Sequence, residues 1–89
     1  MLVPSYTNQF QKDLKLMIRR GKTVEKFKEV ANHLIAQNVL DARLRNHKLS
    51  GDFKDRWECH LEPDWLLIYK LSKTEIIFER TGTHADLFE

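Results

Sequence analysis

The stretch Trp57–Tyr69, WECHLEPDWLLIY, limits what this chain can fold into more than any other part of it. Up to Glu62, polar and apolar residues alternate, so a strand there carries Trp57, Cys59 and Leu61 on one face and Arg56, Glu58 and His60 on the other. Glu62-Pro63-Asp64 turns the chain. Leu66 to Leu71 is then apolar on both faces, as a central strand covered on each side must be. The chain therefore needs a sheet with material packed against both of its surfaces.

The remaining residues supply that material. Leu2 to Tyr6, interrupted by Pro4, reads as a short edge strand. Thr7 or Asn8 caps a helix whose Phe10, Leu14, Met17 and Ile18 face the core, with Lys12, Lys15, Arg19 and Lys22 opposite and Gly21 as its stop. Thr23 caps a second helix with Phe27, Val30, Ala31, Leu34 and Ile35 on its apolar face; His33 falls on the polar side and is given no role. Val39 to Gly51 shows no sustained period and is read as a loop. Glu75 to Arg80 is the last strand, followed by a break at Thr81-Gly82-Thr83-His84 and an apolar anchor at Leu87-Phe88. The order β-α-α-β-β-β predicts an α+β domain over residues 1–89, an antiparallel meander packed on a helical pair. Strict alternation would place Arg80 beside Ile76 and Phe78, so either the strand ends first or a bulge re-aims it.

Net charge hides an asymmetry. Residues 1–49 hold ten Lys/Arg against four Asp/Glu, and residues 50–89 hold five against nine, giving +6 and −4. A basic surface beside an acidic one suits a polyanion or an acidic partner on the first. Cys59 is the only cysteine, which excludes an intramolecular disulfide; with no secretory segment at the start, a reducing cytoplasm is expected. No apolar run approaches the roughly 18 residues of a membrane span.

Three histidines and one aspartate fall at turns or strand ends: His47, His60, Asp64 and His84, with Arg80 nearby. Cleaving RNA without a metal requires a base for the ribose 2′-OH, an acid for the leaving 5′-oxygen and a cation for the phosphorane. Imidazole serves as acid or base near neutral pH, and arginine can grip a phosphate with parallel bonds. Asp64 orients a histidine or acts as a base itself, and Trp65 or Phe88 can stack a base. Arg43, Arg45 and Lys48 in the Val39–Gly51 loop suit phosphate contacts. The same His/Asp set contains zinc-ligand residue types, but spacings of 13 and 24 residues between the histidines match no short ligand motif. No metal or cofactor is expected.

Taken together, His47-x-Leu49-x-Gly51, WECHLEPDWLLIY and FERTGTHADLF closely resemble the YafQ branch of the RelE/ParE superfamily of bacterial toxins. The match is dense over residues 46–88; the first half matches in its two-helix layout. The resemblance implies a microbial RNase fold, a four-stranded sheet with two helices. It implies a ribosome-dependent mRNA interferase acting on translated mRNA, inhibited by a cognate antitoxin in a heterotetramer or larger complex and touching operator DNA only through that antitoxin. It makes His47, His60, Asp64 and His84 acid/base residues, Arg80 the phosphate-binding arginine, and Trp65 and Phe88 substrate-side aromatics. On this reading His84 donates the proton to the leaving oxygen, and His60 with Asp64 handles the 2′-OH proton. Two rivals share the scaffold: a ParE-like gyrase poison, for which the histidines are superfluous, and a degenerate toxin surviving as an antitoxin-binding corepressor.

Overall fold

A computed structural model describes residues 1–51 and 55–88. In chain order the elements are β1 (Val3–Tyr6), α1 (Asn8–Arg19), α2 (Val24–Ile35), a 3-10 turn (Ala42–Leu44), β2 (His47–Lys48), β3 (Trp57–Glu62), β4 (Trp65–Leu71), β5 (Glu75–Gly82) and α3 (His84–Phe88). The strands form one sheet in the order β1-β5-β4-β3-β2, with β1 parallel to β5 and every other pair antiparallel. The apolar run is thus the middle strand, and the α+β meander expected from the sequence is present.

Local signals explain the helix ends. Thr7 is extended and its hydroxyl accepts the Phe10 amide at 2.9 Å, satisfying one of the free donors of α1. Gly21 follows α1 with a φ of 95°, a left-handed conformation that costs glycine little.

The two faces of the sheet differ. On one, Phe10, Met17, Phe27 and Leu34 from α1 and α2 meet Cys59, Trp65, Leu67 and Phe78, all buried. Phe78 is the hub, with ring centroids 5.3 Å from Tyr6, 5.9 Å from Phe10 and 5.2 Å from Phe27. Truncating it to alanine would cost about 3–5 kcal/mol. The opposite face carries a smaller cluster, Leu66, Ile68 and Leu87 with Leu49 against them. That second face is where α3 lies.

Three features depart from the sequence reading. A two-residue strand, β2, sits inside the Val39–Gly51 segment, and a five-residue helix, α3, follows β5, so the described residues form five strands and three helices rather than four and two. Both elements are too short to show a period. On α1 the buried stripe is Phe10, Asp13 and Met17, while Ile18 is 45% exposed. A carboxylate, not an isoleucine, completes the face.

Candidate active site

The site is assembled on the face opposite α1 and α2, and strand register determines who stands in it. His47 pairs with Glu58, Glu58 with Ile68 and Ile68 with Arg80, so four strands contribute one transverse row. Adjacent strands lie about 4.8 Å apart, which sets the spacing along the row. In the next row His60 pairs with Leu66 and Leu66 with Gly82, and His84 follows two residues beyond Gly82.

Two bulges shape this arrangement. The β3–β4 register shifts between His60 and Glu62, leaving Leu61 unopposed. Leu61 and Glu62 therefore both turn toward the helices, where Glu62 meets Lys22 Nζ at 2.5 Å and Lys26 Nζ at 2.7 Å. Those hydrogen bonds, before desolvation opposes them, hold its carboxyl below the usual range and tie the β3–β4 turn to α2. The β4–β5 register shifts opposite Ile68/Tyr69, leaving Glu79 as the extra residue. Arg80 thereby leaves the face of Ile76 and Phe78, which is the bulge the sequence left open.

His84 begins α3. Thr83 Oγ1 accepts the Asp86 amide at 3.1 Å and the Thr83 amide donates to Asp86 Oδ2 at 3.0 Å, a reciprocal cap. Arg20 Nη1 grips Asp86 at 2.7 Å and Leu87 is buried beneath. Asp64, in the β3–β4 turn, accepts both the His84 amide at 2.9 Å and His84 Nδ1 at 2.8 Å on one oxygen. The amide bond, then the ring bond, hold the Asp64 carboxyl below its ordinary value. An ionised Asp64 fixes Nδ1 as the protonated nitrogen and turns the ring's other nitrogen outward.

His60 stands beside it, the two ring centroids 5.9 Å apart. Its Nε2 lies 3.1 Å from Glu58 Oε1, and the same oxygen is 3.6 Å from His47 Nε2. Glu58 is 5% exposed, so one buried carboxylate serves two imidazoles. His47 Nδ1 donates to the Arg45 carbonyl at 2.7 Å. The expected pairing of His60 with Asp64 is thus replaced: Asp64 belongs to His84 and Glu58 to His60. Glu58 was legible only as a polar-face residue two places before His60.

The flanking residues divide. Phe88 is 43% exposed with its ring 6.2 Å from that of His84. Arg43 and Arg45 are exposed and line a groove of about 920 Å³ that also touches His60. Among the described residues, no group of three or more His, Cys, Asp or Glu side chains is arranged to hold a metal ion.

A family model describing the YafQ bacterial toxin of type II toxin-antitoxin systems matches residues 2–89. The chain belongs to the YafQ family. It is 45% identical over 84 residues to the mRNA interferase toxin YafQ of Escherichia coli K12, spanning 93% of this chain and 91% of that protein. The crystal structure of YafQ from E. coli BL21(DE3) matches with a TM-score of 0.94 at 41% identity, covering 100% of both chains. The E. coli DinJ-YafQ toxin-antitoxin complex contains a chain that matches at 0.91 and 43% identity, over 99% of this chain and 98% of that one.

The structure corrects the expectation that Trp65 faces substrate, and it sets Lys48, expected from its basic loop to contact phosphate, apart from the histidine row. Trp65 is 0% exposed, lies on the helix side of β4 and donates its indole N–H to Thr81 Oγ1 at 2.8 Å; no base can stack on it there. Lys48 pairs with Trp57, not with the histidine row, and its ammonium lies 5.8 Å from the Trp57 ring centroid. Alternation along β2 sends it to the face opposite His47. The candidate site of this YafQ-family chain therefore brings together His47, Glu58, His60, Asp64, Arg80, His84 and Phe88, with Asp13 behind Arg80.

Proposed function

We propose that this YafQ-family toxin is a ribosome-dependent mRNA endoribonuclease that cuts translated mRNA by metal-independent acid/base attack of the ribose 2′-OH. The observation that carries the reading is the adjacency of His60 and His84, each held by a different carboxylate. His84, with Nδ1–H tied to Asp64, presents Nε2–H to the 5′-oxygen. His60, with Nε2–H directed at Glu58, presents Nδ1 to the 2′-OH. As the 2′-oxygen bonds to phosphorus, His60 takes its proton; as the P–O5′ bond breaks, His84 protonates the departing oxygen. A 2′,3′-cyclic phosphate and a 5′-hydroxyl result. Arg80 offsets the charge on the phosphorane, and Phe88 seats a flanking base.

The relative crystallised with DinJ supports a cognate antitoxin as partner here; the proposal extends this to a heterotetramer or larger complex through which alone the toxin reaches operator DNA. The exposed Lys12, Lys15 and Arg19 of α1 suit ribosomal RNA. The test is cleavage of a reporter mRNA on translating ribosomes by the wild-type chain and His84→Ala, with end analysis. Cuts bearing cyclic phosphate, unaffected by a zinc-selective chelator that leaves Mg²⁺ on the ribosomes and reduced about 10²–10⁴-fold in the variant, are expected. Growth arrest with intact mRNA and damaged DNA would overturn the assignment in favour of a gyrase poison.

A further inference from the structure

Helix α1 carries a carboxylate into the core that the acid/base scheme does not use. Asp13 is 8% exposed. Its oxygens accept Arg80 Nε at 2.7 Å, Arg80 Nη2 at 3.4 Å, the Thr81 amide at 3.2 Å and Gln9 Nε2 at 2.9 Å. A buried carboxylate is tolerated only when its lone pairs are filled, and here, besides Gln9, the donors come from the segment just past the Glu79 bulge. The same helix reaches that bulge a second time: the Thr7 hydroxyl donates to the Glu79 carbonyl at 2.9 Å. β1 leaves β5 at the Tyr6–Phe78 pair, so beyond Phe78 it is α1, not a strand, that borders β5.

We propose that Asp13 is the positioning residue for Arg80. The proposal rests on the reading of Arg80 as the phosphate-binding group and adds what makes that group work. An arginine side chain loses much rotamer freedom when it is fixed on a phosphate. Asp13 occupies the Nε edge of the planar fork and thereby fixes its plane, leaving the outer edge for two parallel bonds to a phosphodiester. The Arg80 side chain remains 30% exposed, so that edge is reachable. Thr81 locks the base of the assembly: its amide holds Asp13, while its hydroxyl donates to the Leu66 carbonyl at 2.6 Å and accepts the Trp65 indole. Trp65 then supports phosphate binding from behind, through Thr81 and Asp13, without touching RNA.

The experiment compares Asp13→Asn, Arg80→Ala and the double variant of the full chain in single-turnover cleavage of mRNA on programmed ribosomes, with thermal melts to keep every variant folded at the assay temperature. Asp13→Asn should slow cleavage by about tenfold to a hundredfold, the scale of a misplaced catalytic group. Its apparent affinity for programmed ribosomes should stay within about twofold, and in the Arg80→Ala background it should change the rate by less than about twofold. Asp13→Glu, which keeps the charge but overreaches by one methylene, serves if the asparagine variant does not fold, and should also be slow. A wild-type rate in the folded Asp13 variant beside a slow Arg80→Ala overturns the positioning role and leaves Arg80 as the phosphate group. Losses that multiply in the double variant overturn it as well, because Asp13 would then act through the fold. A wild-type rate in Arg80→Ala removes Arg80 from the chemistry, and the proposal with it.

Discussion

Thr81→Val isolates the bond that makes Trp65 a strut. Valine keeps the branched shape and volume of threonine, so no cavity opens; what disappears is the hydroxyl that accepts the Trp65 indole at 2.8 Å and donates to the Leu66 carbonyl at 2.6 Å. Trp65 is 0% and Thr81 2% exposed, so water does not replace it. An indole N–H left without an acceptor costs about 1–3 kcal/mol, and the lost hydroxyl–carbonyl bond about 1 kcal/mol more. The expected loss is about 2–4 kcal/mol, a large part of the 5–15 kcal/mol typical of a domain. At about 4–8 °C per kcal/mol for a chain of this size, the Tm should fall by roughly 8–32 °C. Thr81→Ser removes only the buried methyl and should cost about 1 kcal/mol. Urea unfolding of both variants, followed by tryptophan fluorescence and far-UV circular dichroism, measures the order. Packing alone favours valine over serine; the hydrogen bonds favour serine over valine. A valine variant as stable as the serine one would refute the strut.

Three further outcomes follow from the same coordinates. Because the His84 amide and ring hold the Asp64 carboxyl low, its contribution to stability is present above about pH 4 and is lost as the pH falls further. The advantage of wild type over Asp64→Asn in urea melts should therefore shrink on acidification; growth would mean the sign is wrong. Burial pushes the Cys59 thiol up to about 12, so the native protein at pH 8 should resist a thiol-labelling disulfide reagent that titrates it at once in guanidinium. Gly82→Ala sets a Cβ 3.0 Å from Asp86 Cβ and Oδ2, which should displace the α3 cap, cost about 1–3 kcal/mol and slow cleavage through His84. Wild-type melts and rates together would show that α3 accommodates the methyl.

The sheet and both long helices were legible because their periods are sustained: Trp57–Tyr69 marks the central hairpin, and α1 and α2 each run 12 residues. His60 and His84 were legible as chemistry-bearing residues at turns. Their partners were not. Glu58 reads as one more polar-face residue until the strand pairing sets it between His47 and His60. Asp13 interrupts an apolar stripe, and a sequence reading that fills that face with Ile18 gives Asp13 no role. Trp65 shows the converse. A tryptophan next to a turn suits base stacking, yet alternation along β4 groups Trp65 with Leu67 and Tyr69, all buried on the helix side, and only the register with Thr81 reveals where its N–H goes.

The site exists because two strands break their own alternation. Without the extra Leu61, Glu62 would stand on the face of Glu58 and His60, adding a third carboxylate where an RNA phosphate must approach; the bulge sends it to Lys22 and Lys26 instead. Without the extra Glu79, the Arg80 guanidinium would project among Phe78 and its aromatic neighbours, where an unpaired cation costs several kcal/mol. Each bulge lies beside a residue the proposed chemistry requires, and each is fastened to a helix: the first through Glu62 to Lys26 of α2, the second through Thr7 and Asp13 to α1. The long helices thus fix the placement of the active face from the far side of the sheet. A substitution on α1 that touches no substrate can therefore act on catalysis.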